Sequence, residues 1–181
     1  WTDISGCALH RYALEQRQLH SWATPERLGC FAFIEGDTRL LAAFASGFAL
    51  YDPDSGRLQW LDRCEPAGSG RRFNDGRVDR QGRFWAGTMV EDAAVAGPYS
   101  AALYCLGADG RAQPRETGVG IANGLCWSPD GHTLYFADSP RHAIYAYDFD
   151  VDSGRIGNRR EFARTGPGVE PDGSCVDAEG G

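Results

Sequence analysis

Asn74, Asn123 and Asp172 stand 49 residues apart, each just ahead of a Gly or an Asp-Gly pair. Oxygen-bearing side chains at equal intervals form a ring if the chain repeats around an axis. A ring of Asn and Asp oxygens is what a hard divalent cation requires. Leu28, 46 residues before Asn74, holds the same register without an oxygen. Asn and Asp ahead of Gly also make turns, which is their commonest use, and for any one residue that reading stays open. Asp172 is the only carboxylate of the three, so it is the one fitted to take a proton from water.

Other chemistry-bearing patterns are incomplete. Asp148-x-Asp150-x-Asp152 opens like a calcium loop, but Gly falls at position 7 and Arg159 stands where a bidentate Glu is needed. It reads as the tip of an outer hairpin. Gly118-x-Gly120-x-x-Asn123 lacks the last Gly of a dinucleotide fingerprint and leads into a strand. There is no Gly-x-Ser-x-Gly elbow. His10, His20, His132 and His142 show no metalloprotease spacing and read as solvated. The six cysteines have no Cys-x-x-Cys pair; they read as small hydrophobes and favour a reducing compartment.

The elements that must position the three residues repeat with them. Asn74–Gly82, Asn123–Gly131 and Asp172–Gly180 superimpose without a gap, and Leu28–Gly36 is a weaker copy. Each complete copy runs strand, tight turn, strand. Between them lie outer hairpins: Tyr51–Leu58 matches Phe149–Ile156, and Leu106–Ala112 is a shorter version. A unit of about 45–50 residues with about four short strands is a β-propeller blade, so the chain is expected to be all-β, a propeller of four-stranded blades. Gly is 24 of 181 residues, about 13 % against a usual ~7 %, which agrees with many tight turns and argues against a helix bundle. The formal charge of −7, with 18 Arg and no Lys, is a poor footprint for nucleic acid. No apolar stretch nears the ~20 residues of a membrane helix.

Arg72–Asp79 with Gly82–Met89 resembles the most diagnostic stretch of the regucalcin/gluconolactonase (senescence marker protein) family. Ala122–Leu125 with Trp127-Ser128 is similar to a second family motif, continued by Tyr147–Asp150 and Ser153–Arg160. Pro171–Gly180 is similar to a third. The resemblance runs from Trp1 to Gly181. It implies a six-bladed propeller with an axial divalent metal, acting on sugar lactones. Residues 1–181 would then be one partial propeller domain of about 3.7 blades, beginning within blade 1 and ending within blade 5. Such a segment alone is expected to be inactive or poorly folded. The resemblance places metal ligands on Asn123 and Asp172 and substrate contacts on Arg72 and Asn74. A further acidic contact falls on Asp92 or, in second place, Glu91. The family's Glu ligand has no counterpart, because the chain begins after the point where it should lie.

The expected activity is metal-dependent hydrolysis of a sugar lactone, a cyclic ester. A divalent cation (Ca, Zn, Mg or Mn) polarises the ester carbonyl and lowers the pKa of bound water, with Asp172 as ligand and general base. Asn123 holds the metal without adding charge. Arg72 and Asn74 orient the sugar. The alternatives are a non-catalytic calcium-binding regulator of the regucalcin type and a purely structural propeller, since a fold does not fix a function. The expected partner is a small lactone, with no nucleic acid or membrane, and the expected location is cytoplasmic.

Overall fold

Each repeat unit folds into one antiparallel meander. The structure, a computed structural model, describes residues 1–181. β1 (Thr2–Asp3), β2 (Ala8–Ala13) and β3 (Gln18–Ala23) form a three-stranded sheet. Three four-stranded sheets follow, each ordered as in sequence: β4 (Leu28–Phe33), β5 (Leu40–Phe44), β6 (Gly47–Tyr51) and β7 (Leu58–Asp62); β8 (Arg71–Val78), β9 (Phe84–Val90), β10 (Ala101–Leu106) and β11 (Ala112–Val119); and β12 (Ala122–Trp127), β13 (Thr133–Asp138), β14 (Ala143–Phe149) and β15 (Ile156–Arg164). These sheets are the blades of a β-propeller. The expected outer hairpins join β6 to β7, β10 to β11 and β14 to β15. No helix is long and apolar enough to cross a membrane.

The core lies between blades. Leu28, Phe44 and Tyr51 fill the first gap, Phe48, Phe73 and Phe84 the second, and Trp85, Leu103, Trp127 and Phe149 the third. Strands with both faces against a neighbouring sheet bury residues on each side. All six residues of β12 are buried. Arginines lock the blades together at the turns. Arg83 donates to Val151 O (2.7 Å) and Asp152 O (3.1 Å) of the next blade, while Asp79 accepts from both Arg83 Nε (2.6 Å) and Trp85 Nε1 (3.0 Å).

The first strands of the blades, β4, β8 and β12, pack side by side. Each carries a register shift at the same place: between Leu28 and Cys30, between Phe73 and Gly76, and between Asn123 and Cys126. Such bulges bend a strand and re-aim its side chains. They fall on the very positions that the repeat aligns.

Two expectations are corrected. Residues 172–177 follow the repeat but form no strand. They run beside β12, with Ser174 Oγ donating to Gly124 O (2.9 Å); no further strand of these residues offers them a ladder. Three of the four histidines are half-buried, not fully solvated: His10 stacks on Trp1, His20 on Trp22, and His142 Nδ1 meets Val169 O at 3.0 Å.

Candidate active site where the first strands meet

Asn74 and Asn123 project from the bulges of β8 and β12, and Asp172 comes from the segment beyond β15. Together with Asp75, Ile4 and Met89 they line a hollow of about 400 Å³. Gly124 makes this meeting possible. Its φ is +58°, and a Cβ there would lie 2.8 Å from Asp172 O. Any other residue would strain the bulge and push Asp172 away.

The hydrogen bonds of the site run in one direction. Arg72 Nη1 donates to Asn74 Oδ1 (3.0 Å), so Asn74 turns its nitrogen inward. Asn74 Nδ2 then donates to Ala122 O and to Asn123 Oδ1, both at 3.0 Å. Asn123 Nδ2 donates to Ser139 Oγ (2.8 Å), whose own proton goes to Pro171 O (2.7 Å). With these donors assigned, Asn123 Oδ1 faces two acceptors at 3.1 Å, Asp172 Oδ1 and Ala122 O. Reversing the Asn123 amide would relieve both contacts. It would also set two NH₂ groups against each other and require two protons from one hydroxyl. The unreversed amide keeps the Asn74 and Ser139 hydrogen bonds and leaves Asn123 Oδ1 turned toward Asp172.

The donors fit a hard divalent cation in kind: an amide oxygen and a carboxylate, with no sulfur or imidazole. No group of three or more His, Cys, Asp or Glu converges in the chain. The Asn74 oxygen is engaged by Arg72, so of the three oxygen-bearing residues suggested by the spacing, Asn123 and Asp172 keep an oxygen turned to the hollow.

Glu91 holds the outer end of this chain of bonds. It accepts from Arg72 Nε (2.8 Å) and, through both oxygens, from Arg27 (2.7 Å each). Partial burial works against its charge, but the two guanidiniums outweigh it and hold its pKa below the ordinary value. Arg72 Nη2 forms no hydrogen bond within the chain and is the donor left for a ligand. Asp92 is not brought to this cluster. Its carboxylate instead caps the single helical turn α1 (Ala93–Ala96), accepting from Ala94 N–H (3.0 Å) and Val95 N–H (3.3 Å). The chain turns at the end of β9, with both Glu91 N–H and Asp92 N–H bound to Gly70 O, and the two carboxylates take different partners.

Three residues of the site escape a reading by type and spacing: Asp75, Ser139 and Arg27. Asp75 lines the hollow; burial drives its pKa up, against the pull of the Leu125 and Gly76 N–H groups. The Asn-Asp-Gly sequence was its only signal, and that pattern also makes turns.

The family model described as "SMP-30/Gluconolactonase/LRE-like region" matches residues 1–181. The chain belongs to this family. Among its members, the 6-deoxy-6-sulfogluconolactonase of Pseudomonas putida is 38 % identical over 183 residues, 99 % of this chain and 61 % of that protein. The L-arabinolactonase of Azospirillum brasilense is 38 % identical over all of this chain and 60 % of its own length. The crystal structure of a calcium-binding protein, regucalcin, from Agrobacterium tumefaciens superposes with a TM-score of 0.89 at 31 % identity, over 99 % of this chain and 60 % of that one. The chain thus spans about three-fifths of the length of these family members.

Proposed function

We propose that the protein is a sugar lactonase that works with a divalent metal cation held by Asn123 and Asp172. The observation that carries this reading is the facing pair of oxygens beside the Arg72–Asn74 donors, in a chain whose relatives are named lactonases. When bound, the metal supplies Lewis acidity toward the ester carbonyl and toward water.

The chain's own groups do the rest. Asp172 lies exposed at the mouth of the hollow. One of its oxygens accepts from Gly173 N–H (2.8 Å), which leaves the carboxylate free to accept the proton of the attacking water. Arg72 Nη2 donates to the lactone's ring or hydroxyl oxygens, and Glu91 keeps that guanidinium fixed, so little orientation is lost on binding. The apolar side chains of Ile4, Met89 and Ile121 wall the hollow. Two guanidiniums stand against one carboxylate at Glu91, so acidic lactones such as the one named for the P. putida relative belong in the substrate panel. Six unpaired cysteines support a reducing, cytoplasmic setting.

The experiment is hydrolysis of aldonolactones by the intact protein, titrated with Ca, Mg, Mn and Zn. Metal-dependent turnover of at least one lactone is expected. A second reading, a calcium-binding regulator, is favoured by the regucalcin neighbour. Tight metal binding with no turnover across the panel would select it over the first.

A further inference from the structure

We propose that Ser139 is a positioning residue for the metal site: its hydroxyl decides which end of the Asn123 amide faces Asp172. Ser139 is 2 % exposed and opens a 3₁₀ turn (Ser139–Arg141) directly after β13. Its N–H donates to Ile121 O (3.1 Å), and the neighbouring Asp138 carboxylate accepts from Gly120 N–H and Ile121 N–H at 3.1 Å each. The serine is therefore fixed against the start of β12, two residues from Asn123.

A hydroxyl carries one proton. Ser139 gives it to Pro171 O, so toward Asn123 it can only accept, and it takes Nδ2. The oxygen of Asn123 is left to face Asp172. The same bond to Pro171 O anchors the residue just before Asp172. One side chain thus sets the orientation of one oxygen donor and the placement of the other. Asn74 Nδ2 reinforces the choice from the opposite side. Partners of this kind fix ligand orientation, and their loss weakens metal binding about 10–100-fold.

The inference rests on the proposed metal site, and its test reads metal affinity, not turnover. In the intact protein, Ca²⁺ and Mn²⁺ are titrated calorimetrically into wild type, Ser139→Ala and Ser139→Cys, and the unfolding of each metal-free protein is recorded. Affinity should fall at least about tenfold in both variants, while Ser139→Thr, which keeps the hydroxyl, stays close to wild type. Asn123→Asp supplies the decisive background, because a carboxylate presents oxygen from either end. There Ser139→Ala should cost much less affinity than in wild type. Undiminished binding by Ser139→Ala and Ser139→Cys, or an equal loss in the Asn123→Asp background, would overturn the role. Wild type that binds neither ion would overturn the metal site itself, and this role with it.

Discussion

With the Asn123 nitrogen held by Ser139, Asn123 Oδ1 and Asp172 Oδ1 stand 3.1 Å apart. Two acceptors at that distance repel unless a positive charge joins them. A cation that binds only the folded chain stabilises it by mass action, about 2.7 kcal/mol at 100 times its Kd. For a protein of this size that raises Tm by roughly 5–10 °C. Thermal unfolding with and without chelator checks it; an unchanged Tm across a millimolar range of Ca²⁺ and Mn²⁺ would contradict it.

Glu91 ties Arg27 to Arg72 across the boundary between two blades. Glu91→Gln removes the charge and lets Arg72 swing, so KM for the lactone should rise about tenfold with a smaller change in kcat. Steady-state kinetics on the variant measures both.

The same carboxylate predicts a pH limit. Its folded pKa lies below its ordinary value, so its contribution is complete above the unfolded pKa of about 4.3 and is lost as pH falls through the lower, folded value. As far as this group governs binding, KM should be flat from pH 5 to 8 and rise only below about pH 4. A KM series across that range would reveal an earlier rise.

Asp79 has a side chain 0 % exposed that accepts from Arg83 Nε and Trp85 Nε1. Asp79→Ala removes the acceptor of Arg83 Nε and of the Trp85 indole N–H, while the Arg83 Nη groups keep Val151 O and Asp152 O. Removing one partner of a buried pair costs about 3–5 kcal/mol. Urea unfolding followed by tryptophan fluorescence should show a loss of that size.

The cysteines should separate under alkylation. Cys175 is exposed, whereas Cys30 is buried and its thiol pKa is raised well above the ordinary value by burial. Burial likewise pushes Cys64 up to about 12. Iodoacetamide labelling read by mass spectrometry should modify Cys175 first and leave Cys30 unmodified while the protein stays folded.

Much of the fold was legible because a propeller repeats in sequence what it repeats in space. The 49-residue interval put Asn74 and Asn123 on equivalent strands, and the Asp-Ser-Gly turns marked the outer hairpins. The direction of the site was not legible. Whether Asn74 offers oxygen or nitrogen depends on Arg72, and whether Asn123 does depends on Ser139, a residue 16 positions away in the turn after β13. The strand bulges that aim both amides come from pairing with β9 and β13, which no local pattern announces. Asp92 and Glu91 are adjacent carboxylates that only the path of the chain after β9 tells apart.

The most direct test of the account is lactone hydrolysis with metal binding measured in parallel, for the intact wild-type protein and its Asp172→Ala variant. On the proposed mechanism Asp172 would serve as both ligand and proton acceptor, so the variant should lose metal affinity and at least about a thousandfold in kcat/KM, the combined scale of a metal ligand and a general base. An Asp172→Ala protein that binds metal normally and keeps more than about a tenth of wild-type turnover, well outside the range for loss of a general base, would contradict it.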